Sequence, residues 1–185
     1  MNTPRFVRSL CGIGLLSGLG VAFLLCGPLF GDTAASGQPS GGTVQIWVTP
    51  SNTGNGGGKV LFTGAIGDYG TGQKVNSSGK PNSKGLYRNL RLKKGTILVN
   101  LTQFTAAENN INPQVNASNC STSATFSAPV QIVSGTKAYA GITGTANFTA
   151  QLALILPKTK SGSCNTNGNP IAQYGSVAGT GTVSF

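Results

Sequence analysis

The feature that most constrains this chain is a long region in which apolar and polar residues alternate. From residue 123 to 133 every second residue is apolar, and the same alternation runs from residue 138 to 156 after a predicted turn at 134–137. A period of two places successive side chains on opposite faces of a β-strand. Each segment is therefore predicted to be one strand with a single apolar face, which includes Phe126 and Phe148.

Shorter alternating segments occupy the rest of the chain after residue 42. They predict strands at 43–49, 59–68 and 171–185, and a hairpin of 86–94 and 96–104 around Gly95. Glycine, proline and asparagine dominate the stretches 69–85 and 105–121, so we expect long loops there, the second with room for one helical turn. On the last strand, Phe185 continues the inward face.

These segments predict an all-β domain of seven or eight strands. Two architectures accommodate them, an antiparallel closed barrel of about eight strands or a β-sandwich. Small residues recur on the predicted inward faces, as at Gly144, Gly179 and Gly181. Because small residues allow strongly coiled strands to approach closely, the barrel is favoured. A final strand reaching Phe185 fits a barrel that closes against its neighbour.

The N-terminus has the order of a secretory signal. Arg5 and Arg8 precede an uncharged, largely apolar run over residues 9–30, and small residues follow at 33–35. A positive start, an apolar core and a small-residue cleavage site are typical of a signal peptide. Two alternatives remain: the run is long enough to span a bilayer as an uncleaved anchor, or Cys26 could carry a lipid.

The predicted organisation follows from that signal segment. Residues 1–35 are a signal peptide, 36–42 a flexible lead, and 43–185 the β-barrel domain. The predicted location is secreted or extracellular, or in the cell envelope, with an N-terminal membrane anchor as the alternative.

Two cysteines, Cys120 and Cys164, remain after the signal peptide is removed. An even number in an exported domain predicts a disulfide bond. By loop entropy, this bond would stabilise the fold by about 4 kcal/mol. Two free thiols, or a metal site with two cysteine ligands, are the alternatives.

Composition excludes much catalytic chemistry. The chain contains no histidine and only three acidic residues. It therefore has no Ser-His-Asp triad, no Cys-His pair and no histidine metal site. No Gly-x-Ser-x-Gly elbow is present, and the glycine run 54–58 lacks the lysine ending of a phosphate loop. We predict no cofactor and no metal site, and the balance is against an enzyme.

The formal net charge is +10. Such a charge favours attraction to an anionic envelope polymer, although it could serve solubility alone. Nucleic acid is not expected, because the compartment is wrong and aromatic residues do not interleave with a basic patch. A membrane is a partner only if the N-terminal segment is uncleaved. The basic cluster Arg88, Arg91, Lys93 and Lys94 could bind a polymer or could protect a strand from edge-to-edge aggregation.

Four residues are candidates for ligand binding: Asp68, Tyr69, Arg88 and Glu108. Asp68 continues the inward parity of its predicted strand, and Arg88 falls on the same face as Leu90. A lone buried charge is costly, so an inward arginine needs a partner. We hypothesise an Arg88–Asp68 pair that anchors the polar end of an apolar ligand. The alternatives are a barrel-end salt bridge or an arginine that extends to solvent.

Three segments carry a resemblance to known proteins: VLFTGAIGD at 60–68, GTKAYAGITGT at 135–145 and AGTGTVSF at 178–185. Together they resemble a group of uncharacterised secreted actinobacterial proteins. The middle segment is also similar to strands of the allene oxide cyclase and dirigent barrels. This resemblance implies an eight-stranded barrel with an apolar pocket. The acidic catalytic residues of those enzymes have no matching positions here, so their activity is not implied.

The sequence therefore supports three hypotheses. The first is a secreted, non-enzymatic β-barrel that binds a small apolar ligand or a cell-envelope component. The second is a structural or surface-interaction protein with a solid core. The third is a cyclase- or isomerase-type barrel enzyme that uses Asp68, Tyr69 or Glu108 with water. The first predicts an internal cavity and the second a filled interior, while the third needs an ionisable group inside the cavity. No oligomeric state is predicted.

Overall fold

A computed structural model describes residues 40–49 and 58–185 of the chain. The predicted signal peptide, 1–35, and most of the predicted lead, 36–42, lie outside the described residues. In the part that is described, no helix is both long enough and apolar enough to cross a membrane.

The described residues form a closed barrel of eight antiparallel strands and one short helix. Each strand pairs with the next along the chain, and the last strand pairs with the first to close the barrel. The prediction of a closed barrel rather than a sandwich is thus confirmed. In chain order the elements are β1 Gly42–Thr49, β2 Lys59–Gly64, β3 Asp68–Val75, β4 Tyr87–Leu92, β5 Gly95–Asn100, α1 Thr102–Asn109, β6 Ser121–Lys137, β7 Thr143–Ile155 and β8 Ala172–Ser184.

The two ends of the barrel differ in their connections. One end, here called the turn end, carries the short connections 65–67, 93–94 and 138–142. The opposite end, here called the helix end, carries α1 and the longer loops 76–86, 110–120 and 156–171. The three longest strands, β6, β7 and β8, extend furthest at the helix end. The shorter strands β1 and β5 pair only with the parts of β8 and β6 that lie nearer the turn end.

Large side chains fill the barrel at the turn end. Phe62, Ile66, Ile97, Tyr139 and Ile142 are each no more than 1% exposed and belong to one hydrophobic cluster. Burial of apolar area is the main favourable term in folding, so this half holds the barrel together.

Small residues on β8 permit the close approach of its neighbours. A Cβ at Gly181 would lie 2.2 Å from the carbonyl oxygen of Thr145 on β7. A Cβ at Gly179 would lie 2.9 Å from the ring of Phe148. Both distances are too short for a real Cβ, so only glycine fits at these two positions without a shift of the neighbouring atoms. This steric requirement explains why glycines recur on the inward face, the feature from which the barrel was predicted.

The predicted disulfide is present and joins Cys120 to Cys164 with a Cα–Cα distance of 5.3 Å. It ties the loop after β7 to the residue that precedes β6. Cys120 is buried, and its backbone carbonyl also accepts a hydrogen bond from Leu156. A disulfide is consistent with an extracellular location.

One strand was missing from the prediction. The structure divides the predicted strand 59–68 into β2 and the first residue of β3, and β3 occupies half of the predicted loop 69–85. The interior face of β3 begins with Asp68, Gly70 and Gly72, as its register with β2 and β4 requires. That face lacks the apolar residues by which a strand is recognised, so glycine and charge were wrongly interpreted as a loop.

The region after β5 was also predicted incorrectly. The strand predicted at 96–104 ends at Asn100, and α1 begins at Thr102. Asn100 Oδ1 accepts hydrogen bonds from the backbone nitrogen and the hydroxyl of Thr102, at 2.9 and 2.7 Å. This local bonding turns the chain away from the sheet, because an asparagine side chain competes with the strand ladder for backbone donors.

Two smaller predictions at the turn end were wrong. The turn predicted at 134–137 belongs to β6, and the chain reverses at 138–142 instead. A β-bulge opposite Leu98 and Val99 lets β6 continue past the expected position. Phe185 is 36% exposed rather than inward, because β8 ends at Ser184.

Replacing Gly181 with alanine tests the requirement for close strand approach. We expect Gly181→Ala to lower the free energy of unfolding by about 1–3 kcal/mol, since the added methyl group must displace backbone. Gly67→Ala is the matched control, because nothing lies within 4 Å of a Cβ there. Urea denaturation of both variants measures the difference, and equal stabilities would contradict the packing described.

Candidate functional site

A cavity of about 290 Å³ lies inside the barrel in the half nearer the helix end. Its walls are mostly aliphatic and aromatic, and Arg88 and Glu108 are the charged residues that line it. Glu108 is exposed, so the cavity reaches the surface at this end. The aliphatic part of the wall includes Val48, Leu90, Val99, Ile132, Leu152 and Val177.

Large side chains line much of the cavity, and it stays open where several inward residues are small. Gly72, Ala150 and Val177 line it where the turn end has phenylalanine, tyrosine and isoleucine. The ring of Phe148 leans against Gly179, as the 2.9 Å distance to a Cβ at that glycine shows. An eight-stranded barrel is just wide enough either to be filled by side chains or to hold one small ligand. The size of the inward side chains at each level of the barrel therefore decides whether that level is filled or open.

Helix α1 covers the cavity through one aromatic residue. The Phe104 ring lies 5.0 Å from the ring of Phe126 and 6.4 Å from the ring of Phe148, the second in an edge-on arrangement. No residue of α1 is fully buried. The helix is thus held over the barrel mainly by this aromatic cluster, since an isolated helix of eight residues is marginal in water.

Arg88 lies on β4 and points into the cavity. Its Nη1 atom is buried and has no hydrogen-bond partner among the described residues. Its cross-strand neighbours are Lys74 on β3 and Val99 on β5, and neither a lysine ammonium group nor a valine side chain can accept a hydrogen bond. Burial lowers the pKa of Arg88, and the negative charge of Glu108 partly opposes that shift. The guanidinium is therefore a desolvated cation with incomplete compensation.

The structure does not pair Arg88 with Asp68. Asp68 begins β3, and Arg88 is in register with Lys74, six residues further along that strand. At the rise of a β-strand this separation is about 20 Å. The prediction of an Arg88–Asp68 pair is therefore wrong. It failed because the parity of a strand identifies the face of a residue and not its height in the barrel.

Asp68 instead closes the turn end. Its carboxylate accepts a 2.6 Å hydrogen bond from the Tyr139 hydroxyl and three from backbone nitrogens, those of Tyr69 at 2.8 Å, Lys93 at 3.2 Å and Lys94 at 2.8 Å. Only 6% of Asp68 is exposed. These bonds link three turn-end segments through one buried carboxylate.

The hydrogen bonds set the charge state of this pair. Burial alone would raise the pKa of Asp68, but the bonds from Tyr139, Lys94, Tyr69 and Lys93 together lower it below its ordinary value of 3.8. Burial and the bond to Asp68 raise the pKa of Tyr139 well above its ordinary value of 10.0. At neutral pH, Asp68 is thus an ionised acceptor and Tyr139 a neutral donor.

Tyr69 lies on the outside of the barrel. It is 58% exposed, and the Lys93 ammonium group stands 5.4 Å from the centre of its ring. Of the four predicted ligand-binding residues, the structure thus brings Arg88 and Glu108 to the cavity and places Asp68 and Tyr69 elsewhere.

The basic cluster predicted from the sequence does not form one surface. Arg88 points into the barrel, whereas Arg91, Lys93 and Lys94 are exposed. The backbone nitrogens of Lys93 and Lys94 donate hydrogen bonds to Asp68. The turn between β4 and β5 therefore helps to hold the turn end together through its backbone, a role that does not depend on the charges of its side chains.

Two residues of importance were missed from the sequence. Phe104 was assigned to a strand, although Asn100 and Thr102 provide a helix-start signal just before it. Tyr139 was treated as an ordinary strand residue, yet it is fully buried and holds Asp68. No local signal identifies that partnership, because 71 positions separate the two residues.

A second concavity lies outside the barrel, on the parts of β6, β7 and β8 nearest the helix end. This groove has a volume of about 670 Å³, but no charged side chain lines it. Its walls include Gln114, Asn116 and Tyr174. It offers area but no charged group that could orient a ligand, so the barrel cavity is the better candidate site.

Among residues 40–49 and 58–185, no group of three or more histidine, cysteine, aspartate or glutamate side chains is placed to hold a metal ion. Comparisons with known proteins do not supplement the geometry: no protein-family model matches the chain, and no curated protein or solved structure shows significant similarity to it.

The role of Asp68 predicts how stability depends on pH. Because folding lowers the pKa of Asp68, its stabilising contribution is present above the ordinary value of 3.8 and is lost as the pH falls through the lower folded value. We expect Asp68→Asn to lower the free energy of unfolding by about 2–3 kcal/mol at pH 7. The difference between variant and wild type should shrink as the pH approaches 2.

Urea denaturation between pH 2 and pH 7 measures this dependence. Tyr69→Phe is the control, since Tyr69 lies outside the barrel and the loss of its hydroxyl group should change stability little. Tyr139→Phe should lower the free energy of unfolding by about 1–3 kcal/mol, because the Asp68 carboxylate loses the hydroxyl donor that lies 2.6 Å away. A constant difference between wild type and Asp68→Asn across this range would contradict the assigned role.

Proposed function

We propose that this protein binds a small, predominantly apolar molecule inside its barrel, and that it does so without catalysing a reaction on it. The observation that carries the proposal is the apolar cavity of about 290 Å³ with Arg88 in its wall. Ligand sites in proteins are mostly apolar concavities in which a few polar groups fix the orientation. This cavity has that composition and lies near the lower end of the usual size range, so a small ligand is favoured.

The cavity favours this function over that of a protein with a solid core. A barrel built only for strength would place bulky residues at every inward position, as the turn end does with Phe62, Tyr139 and Ile142. Unfilled apolar space costs stability, because its walls lose packing contacts. The presence of such space beside a half-buried cation with a buried donor atom supports a ligand-binding role.

Binding is also favoured over cyclase or isomerase chemistry. Of the three residues proposed for that chemistry, Glu108 alone lines the cavity. Asp68 is fully engaged by four hydrogen bonds at the other end of the barrel, and Tyr69 is outside it. A general acid or base must reach the reacting atoms, which excludes Asp68 and Tyr69 from that role.

Helix α1 supports a route for the ligand. It contributes no fully buried residue, and Phe104 is its main contact with the barrel interior. Elements with little buried apolar surface open at low free-energy cost and commonly act as lids. We therefore place ligand access at the helix end.

The setting proposed for this function is outside the cytoplasm. The Cys120–Cys164 disulfide supports it, because such bonds persist in oxidising compartments. The predicted signal peptide and the resemblance of three segments to a group of secreted proteins also favour this location. Recognition of an anionic envelope polymer by the outer basic residues stays a separate prediction.

An uncharged fluorophore tests the proposed function. We expect 1-aminonaphthalene to bind with a saturable, blue-shifted emission, since the cavity is apolar. Ala150→Phe fills the cavity and should weaken binding at least tenfold, equivalent to about 1.4 kcal/mol or more. Ala153→Phe is the matched control: the same substitution on the same strand, at an exposed position that lines the outer groove, so binding lost in this variant alone would place the dye in the groove and contradict the proposal.

Each result has a clear reading when thermal melting shows both variants folded. Loss of binding in Ala150→Phe alone places the dye in the barrel. Equal binding by the two variants, or no saturable binding by wild type, contradicts the proposed function. Leu152→Trp, which also fills the cavity, repeats the test if Ala150→Phe does not fold.

A further inference from the structure

We infer that the molecule bound in the barrel is an organic anion, with a carboxylate on Arg88 and an apolar body directed towards Phe148 and Val177. This inference rests on the proposed function and specifies the class of ligand.

The first argument is the unmet hydrogen-bonding capacity of Arg88. Buried polar atoms in folded proteins nearly always have a hydrogen-bond partner. Arg88 Nη1 is buried and has none among the described residues, although it belongs to a side chain that lines the cavity. An acceptor on a ligand is the partner that this geometry leaves room for.

The second argument is charge. The cross-strand neighbour of Arg88 on β3 is Lys74, and side chains of cross-strand neighbours project to the same face of a sheet. Lys74 therefore lies on the same face of the sheet as Arg88 and offers no counter-charge, although it does not line the cavity, and Val99 is the neighbour on the other flank. Glu108 is the carboxylate whose charge acts on Arg88. Asp68 is committed to Tyr139 at the turn end.

The Arg88 guanidinium is therefore partly desolvated, and the charge of Glu108 at the exposed mouth compensates for that desolvation only in part. Taking a cation out of water is costly unless a counter-charge accompanies it. A neutral hydroxyl or carbonyl would satisfy Nη1 but would leave the charge uncompensated. An anionic head group accepts the hydrogen bond from Nη1 and also compensates the charge of Arg88. The site should therefore bind an anionic head group in preference to a neutral one.

The geometry of the guanidinium favours a carboxylate in particular. Its planar fork of donors matches the two oxygens of a carboxylate. Glu108 at the cavity mouth would repel a second negative charge there. A monoanion with one carboxylate and an otherwise apolar body satisfies both constraints.

Isothermal titration with a matched pair of probes tests this inference. 1-Naphthoic acid and 1-naphthalenemethanol share the same ring system and differ mainly in the charge of the head group. At pH 7 we expect wild type to bind the acid at least tenfold more tightly than the alcohol. Arg88→Leu should abolish that preference, lowering the affinity for the acid at least tenfold and the affinity for the alcohol by a smaller factor.

Two further variants serve as controls. Arg91→Leu removes the same charge from an exposed position of the same strand and should keep the preference for the acid. Arg88→Lys keeps the charge without the fork and should keep part of the preference. It also preserves the test if Arg88→Leu does not fold.

The outcomes separate this inference from the proposed function. If wild type binds acid and alcohol equally, or binds 1-aminonaphthalene but not the acid, the anion assignment is wrong and the binding function stands. If none of the three probes binds, the proposed function itself fails. If Arg91→Leu lowers the affinity for 1-naphthoic acid as much as Arg88→Leu does, the acid binds outside the barrel and the assignment to Arg88 is wrong.

Discussion

The interior width of an eight-stranded barrel is the constraint on which this structure depends. Such a barrel is just wide enough for ordinary side chains to fill, so each inward residue decides whether its layer is solid or open. At the turn end, Phe62, Ile97 and Tyr139 fill the layers completely. Towards the helix end, Gly72 and Ala150 leave space. One fold therefore contains both a stabilising core and a cavity.

Asp68, which is buried, and Arg88, which is half-buried, have opposite roles in these two halves. Asp68 is saturated with hydrogen bonds from Tyr139 and three backbone nitrogens, so its charge is used to close the turn end. Arg88 has a buried donor atom, Nη1, without a partner in the part of the chain that the structure describes, and its cross-strand neighbour Lys74 offers no counter-charge. A charged group whose hydrogen bonds are all made is typical of a structural role. A charged group with an unmade hydrogen bond in an apolar cavity is typical of a binding site.

Much of the fold could be predicted from the sequence, because alternation reports which face of a strand is apolar. That signal correctly identified β1, β6, β7, β8, the closed barrel and the inward direction of Arg88. The even number of cysteines in the domain correctly predicted the disulfide.

The errors have a common cause. Alternation carries no signal where an interior face consists of Asp68, Gly70 and Gly72, so β3 was missed. It also says nothing about height within the barrel, so Arg88 and Asp68 were paired although they lie at opposite ends of β3 and its neighbour. The role of Tyr139 depends on a contact across 71 positions, which only the folded chain reveals.

The most direct measurement of the central claim is a crystal structure of the disulfide-bonded protein under xenon pressure. Xenon occupies apolar cavities that ordinary side chains leave open. The account predicts a xenon site inside the barrel, in contact with Phe104, Phe148 and Val177, and none in the turn-end half. A barrel with no internal xenon, whose side chains fill the space beside Arg88, would contradict it.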